Sequence, residues 1–108
     1  EALPEVVAAV RAHPRGGRDF PVMLDGGVRR GTDVVKALAL GAKAVLLGKP
    51  VFFALAAAGE PGLDRAYQIL REELRSALTL MGVNDVSDLN ESHVRARWGS
   101  EVYARSRL

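Results

Sequence analysis

Apolar positions change period several times along this chain, and each change marks an element. Leu3, Val6, Val7 and Val10 recur at helical spacing, with Pro4 suited to a first turn, which predicts a helix over 1–12. His13-Pro14 and Gly16-Gly17 end it, because the residue before a proline resists the helical region. Phe20-Pro21-Val22-Met23-Leu24 is apolar without alternation, the pattern of a parallel strand buried on both faces. It stops at Asp25-Gly26-Gly27. A second helix opens at Gly31-Thr32-Asp33, with Thr32 as the expected N-cap, Val34, Val35, Leu38 and Ala42 as its stripe, and Gly41 as a left-handed stop. Residues 44–47 are a second apolar strand, ending at Gly48-Lys49-Pro50. Residues 20–47 therefore predict a βαβ unit with a right-handed crossover.

Beyond it, Pro50 starts and Gly59 stops a short apolar helix over 51–58, and Glu60-Pro61-Gly62 forms a turn. A long amphipathic helix follows over 63–81, with Tyr67, Leu70, Leu74 and Leu78 on one face and Gly82 as its cap. Its other face, with Arg65, Arg71, Glu72, Glu73 and Arg75, reads as solvated charge. Residues 83–108 form a C-terminal tail with scattered polar positions and a weak helical pattern at its end.

Composition narrows the class. A chain of 108 residues, 48% hydrophobic and 26% charged, is one soluble globular domain at most. The absence of Cys excludes a disulfide scaffold, a thiolate metal site and a Cys nucleophile, and no metal site is expected. A net charge of +2 gives little field for nucleic acid, and none is expected as a partner. The longest apolar run, 51–58, falls well short of the roughly 20 residues of a membrane-spanning helix. No signal-peptide pattern is present, so a cytoplasmic location is expected. Glu1 is not a Met, so an internal start within a longer or processed protein is expected as well.

Candidate chemistry lies at the two strand ends. Each parallel strand runs into a glycine turn that precedes a helix, which puts both turns at one sheet edge. Helix N-termini carry unpaired N–H groups and about half a positive charge. The first turn, Asp25-Gly26-Gly27-Val28-Arg29-Arg30-Gly31, lets backbone approach an anion and adds guanidinium forks that match phosphate oxygens. The second, Gly48-Lys49, adds another amide and another cation just before a short helix. Taken singly, such turns are ordinary connectors carrying solvated charge. Together they point to a phosphate held between neighbouring strand ends, as in (β/α)8 barrels that bind phosphate after strands 7 and 8 and at a short extra helix.

The run DGGVRRGTDVVKALALGAKAVLLGKP resembles the last two strands of the FMN-dependent 2-hydroxy acid oxidases and dehydrogenases, a family that includes glycolate oxidase, lactate oxidase and mandelate dehydrogenase. The likeness extends over residues 1 to about 90. It implies an α/β fold, the C-terminal portion of a (β/α)8 TIM barrel made of strands 7 and 8 with flanking helices. It implies FMN as cofactor, with Asp25, Gly26, Gly27, Val28 and Arg29 holding its ribityl and phosphate and Gly48 and Lys49 as a second phosphate-contacting pair. Arg usually stands at the position of Lys49 in that family, so one two-pronged donor is replaced by a point charge. Arg30 is expected at the surface or behind the ligand.

The resemblance also implies oxidation of a small 2-hydroxy acid to the 2-oxo acid, in an enzyme that assembles as a homo-oligomer, commonly a tetramer. The proton-accepting His and carboxylate-binding Arg of that chemistry would lie upstream of Glu1, and the missing part of the barrel is the expected partner of this chain. No catalytic residue is therefore assigned; His13 and His93 read as ordinary surface histidines. Phe52 and Phe53 read as core or subunit contact, and Trp98 and Tyr103 as tail anchors or part-exposed aromatics. Asp33 reads as a first-turn charge favouring the helix dipole. Two alternatives stay open: another phosphate-binding barrel enzyme, such as an isomerase or one like IMP dehydrogenase, and a non-catalytic half-barrel.

Overall fold

The alternation of apolar runs and glycine turns folds as a βαβ unit framed by two further helical segments. The computed structural model describes residues 2–17 and 19–95. In order, these form α1 (Ala2–Ala12), β1 (Met23–Asp25), α2 (Gly31–Ala39), β2 (Ala44–Leu46) and α3 (Lys49–Leu80), then two single 3₁₀ turns, Val86–Asp88 and Glu91–His93.

β1 and β2 pair in parallel, with Met23 opposite Ala44, Leu24 opposite Val45 and Asp25 opposite Leu46. β1 is shorter than the apolar run predicts. It starts at Met23, and Phe20 and Pro21 precede it as exposed chain. Proline has no N–H for the ladder, although the Lys43 N–H still donates to the Val22 carbonyl at 2.8 Å and extends the pairing by one step.

Leu24 and Val45, with Val22, pack onto Leu3 and Val7 of α1 and Ala37 and Ala42 at α2. The other face of the sheet is not covered by any described residue: Met23 is 59% exposed and Leu46 48%. The expected burial on both faces therefore holds on one only. Side chains alternate across a strand, so the second face needs a wall that these residues do not supply.

A second apolar cluster joins α2 to α3. Val35 and Ala39 meet Val83 and Leu89, with Leu74, Ala77 and Leu78 against them. α3 is interrupted rather than continuous. Ala58 (φ −152°) and Gly59 (φ 61°, ψ −146°) break it into arms over 49–57 and 60–80. The expected stop at Gly59 is thus present, but the expected turn at 60–62 is the first turn of the second arm. Pro61 sits where a missing N–H does no harm. Two other expectations are corrected. Arg30, not Thr32, is the N-cap of α2. Phe52 and Phe53, read as core or subunit contact, join no core among the described residues, being 73% and 72% exposed, so the first of those two readings fails. The radius of gyration, 15.6 Å, exceeds the roughly 13 Å of a self-contained domain of this length.

Candidate functional site

The register fixes where the chemistry can sit. Asp25 is paired with Leu46 at the ends of β1 and β2, so the turn at Gly26 and the turn at Gly48 leave the same edge of the sheet. Gly26 (φ 85°) and Gly27 (φ 78°) both adopt left-handed backbone, which any L side chain resists. A Cβ added at Gly26, Gly27 or Gly48 would meet no atom within 4 Å. The space over both turns is therefore open for an anion to approach the backbone closely.

Within the first turn the side chains divide. Val28 is buried, 3% exposed, and ties the turn to the body of the protein, so only its backbone is left to face a ligand. Arg29 and Arg30 have exposed side chains. Their backbone N–H groups both donate to Asp33 Oδ2, each at 3.1 Å. The next amide, Gly31 N–H, donates to Glu73 Oε2 at 2.7 Å. Three successive amides at the head of α2 are thus taken by internal carboxylates.

This changes the expected division of labour. α2 cannot offer those amides to an external anion, and Arg29 can contribute only through its guanidinium. Asp33, expected to act as a dipole charge, also ties down the turn. Glu73, expected on a solvated face, is half-buried and caps a helix 42 positions earlier in the chain. The role of Glu73 could not be read from spacing, because helical periodicity says nothing about which surface charge reaches another element; that of Asp33 is local, three and four residues from the amides it holds. Arg30 is exposed at the surface, as expected.

The second turn keeps its amide end open. Gly48 is the N-cap of α3 with φ −103° and ψ −92°, and its carbonyl accepts from Val51 N–H at 3.0 Å and Phe52 N–H at 3.4 Å. Pro50 fills a first-turn position. Lys49 has an exposed side chain at the start of the helix. The edge therefore combines open glycine backbone, the Arg29 guanidinium, the Lys49 ammonium and a helix N-terminus, all of which favour an anion. These donors suit a phosphate monoester such as that of FMN.

Other candidates lie elsewhere. His13 Nδ1 accepts from Arg15 N–H at 3.1 Å in the turn after α1, and His93 Nδ1 lies 3.2 Å from Asn90 N in the last 3₁₀ turn. Each serves local structure and neither reaches the strand ends. A groove of about 800 Å³ runs along the second arm of α3, past Tyr67, Arg71, Arg75 and Asn84, and includes no residue of either glycine turn. Among the described residues no three His, Cys, Asp or Glu gather as a metal site, and no helix is long and apolar enough to cross a membrane. Trp98 and Tyr103 lie outside the described residues.

Comparison with known proteins gives a consistent result. The family model described as FMN-dependent dehydrogenase matches residues 1–96. Glycolate oxidase of Spinacia oleracea is 50% identical over 108 residues, covering 99% of this chain and 28% of its own length. L-lactate oxidase of a Nostoc species is 46% identical over 92 residues, 85% of this chain and 24% of its own. Among solved structures, mandelate oxidase with benzoyl-formic acid superposes with a TM-score of 0.69 at 49% identity, over 79% of this chain and 24% of that one. The chain thus spans about a quarter of the length of the relatives it matches.

Proposed function

The chain belongs to the FMN-dependent dehydrogenase family, an α/β-barrel family of oxidoreductases, and we propose that it supplies the FMN-phosphate grip of an enzyme oxidising a small 2-hydroxy acid to the 2-oxo acid. The observation that carries this reading is the pair of open glycine turns at adjacent strand ends, with exposed Arg29 in one and exposed Lys49 in the other. FMN, when bound, accepts the hydride equivalent from the substrate. This chain's own part is placement. Gly26, Gly27 and Val28 offer backbone, Arg29 a bidentate fork, and Gly48 with Lys49 the open end of α3. Asp25 closes β1 beside them, where its carboxylate suits a ribityl hydroxyl.

Within the barrel, we place the two strands as the seventh and eighth, so that the chain is the C-terminal portion. The short arm of α3 directly after β2 supports this, since barrels of this kind often complete a phosphate site with a short extra helix after strand 8. Two of eight strand–helix units is also a quarter of a barrel, the share of the relatives that the chain covers. The uncovered apolar face at Met23 and Leu46 is then the inner wall, closed by the remaining strands. The proton-accepting His and carboxylate-binding Arg are placed upstream of Glu1, and reading the coding sequence there tests the placement. Exposed Phe52 and Phe53 are assigned to contacts with the rest of the barrel or with a second copy in a homo-oligomer, which light scattering tests. Cytoplasmic residence is proposed with it, and cell fractionation decides it.

The central experiment uses the full-length holoprotein. Arg29→Ala is expected to weaken FMN retention by about 10- to 100-fold, the loss of a charge-assisted hydrogen-bonding pair. Flavin content unchanged after dialysis refutes the site. Bleaching of the bound flavin on adding glycolate, lactate or mandelate supports the reaction; a bound flavin that none of them bleaches favours a different phosphate-binding barrel enzyme.

A further inference from the structure

We propose that Glu73 is a positioning residue for the flavin phosphate, acting through the backbone of the first glycine turn; the inference rests on the FMN reading of that turn. The Gly31 N–H donates to Glu73 Oε2 at 2.7 Å in a part-buried setting, across 42 positions of sequence. The approach is close because Gly31 has no side chain. An added Cβ there would collide with Leu74 N and lie 2.7 Å from both Glu73 Cβ and Leu70 O. The head of α2 therefore rests directly on the backbone of the second arm of α3.

The two carboxylates that hold the turn do different work. Asp33 binds the N–H groups of Arg29 and Arg30, but it belongs to α2 itself and fixes the turn only relative to its own helix. Glu73 stands on α3, the element whose first residue is Lys49. The Gly31–Glu73 bond is thus a polar link from the backbone beside Arg29 to the helix whose other arm begins at the second turn. A phosphate gripped from both turns senses their separation, so Glu73 sets the spacing of two groups on a ligand that it does not touch. A carboxylate suits this place because it accepts strongly from an amide at a helix N-terminus.

A purely structural cap would lower stability but treat all flavins alike. The test therefore compares FMN with riboflavin, which carries the same ring and ribityl chain without the phosphate. Full-length apoprotein is titrated with each, reading flavin fluorescence, for wild type, Glu73→Ala, Glu73→Gln, Glu73→Asp and Arg29→Ala. Glu73→Ala is expected to reduce the preference for FMN over riboflavin about tenfold, the scale of one hydrogen bond to a charged group. Glu73→Asp, one methylene too short to reach Gly31, is expected to behave like Glu73→Ala, and it carries the test if the alanine variant does not fold. Glu73→Gln keeps an acceptor oxygen and is expected to restore most of the preference. If the preference stays within about twofold of wild type in folded Glu73→Ala or Glu73→Asp while Arg29→Ala lowers it, the role of Glu73 is overturned and the FMN site stands. If Arg29→Ala also leaves it unchanged, the FMN reading of the turn fails with it.

Discussion

Gly31→Ala is the sharpest perturbation of this fold. Gly31 is buried at the first position of α2, and its φ lies outside the left-handed region, so alanine introduces no backbone strain. What it introduces is a methyl group with nowhere to go. Leu74 N and Leu70 O belong to the backbone of α3 and cannot swing aside as a side chain would. Overpacking of this kind costs about 1–3 kcal/mol. Pushing α3 away also stretches the 2.7 Å bond from Gly31 N–H to Glu73, and a hydrogen bond to a charged group is worth about 1.5–3 kcal/mol. Both losses follow from one displacement, so together they come to about 3–5 kcal/mol, a large share of a typical native stability of about 5–15 kcal/mol. Gly27→Ala is the control. Its φ of 78° imposes left-handed strain, but its Cβ would meet open space, for a loss of about 1–2 kcal/mol. In thermal scans of the full-length protein, Gly31→Ala is expected to lower Tm by about 5–10 °C and Gly27→Ala by a few degrees at most. A Gly31→Ala protein that melts no lower than Gly27→Ala would refute the direct seating of α2 on α3.

Two further outcomes follow from the C-terminal segment. Leu89 is 9% exposed and packs with Val35, Ala39 and Val83, so Leu89→Ala is expected to destabilise by about 2–4 kcal/mol and to expose the chain after Gly82 to limited proteolysis; unchanged Tm and cleavage would remove that segment from the core. The Asp85 carboxyl is held below its ordinary value, first by the Ser87 hydroxyl at 2.6 Å and then by the Ser87 N–H at 2.7 Å. Its capping contribution is therefore complete above the ordinary carboxylate range and is lost as pH falls through the lowered value. Carbon-detected NMR titration is expected to show Asp85 titrating below the ordinary aspartate value and moving up in Ser87→Ala; a normal titration in wild type would deny the cap.

The elements that were legible in sequence are those set by local chemistry. Parallel strands ending in glycine, a left-handed Gly41 after α2 and a break at Gly59 all follow from which backbone angles a residue tolerates. The boundaries that shifted were decided by contacts. Thr32 is a better N-cap than Arg30 in isolation, but Glu73 and Asp33 accept the amides at the helix head and start the helix two residues sooner. Val83 and Leu89 looked like scattered apolar positions in a polar tail, yet both are buried against α2. Their partners lie tens of residues away, beyond the reach of any periodic pattern. Phe52 and Phe53 show the reverse: an adjacent apolar pair reads as core or subunit contact, and only the structure shows that neither is covered by the described residues.

The electrostatics of the strand ends explain why an anion would favour one side of the edge. Asp33 places a carboxylate at the head of α2, where it already answers the positive end of that helix dipole. A phosphate brought to the same spot would meet like charge and amides that are no longer free. Lys36, 3.7 Å from Asp33, offsets only part of that charge at an exposed site. The head of α3 has no such resident acid: glycine precedes it, Pro50 follows, and its first residue is a lysine. An anion at this edge would therefore be favoured toward Gly48 and Lys49, with the exposed Arg29 guanidinium offered from the first turn. On the proposed reading, that asymmetry shifts the first turn's contribution from its amides to its exposed guanidinium at Arg29, since the amides of Arg29, Arg30 and Gly31 are already bonded.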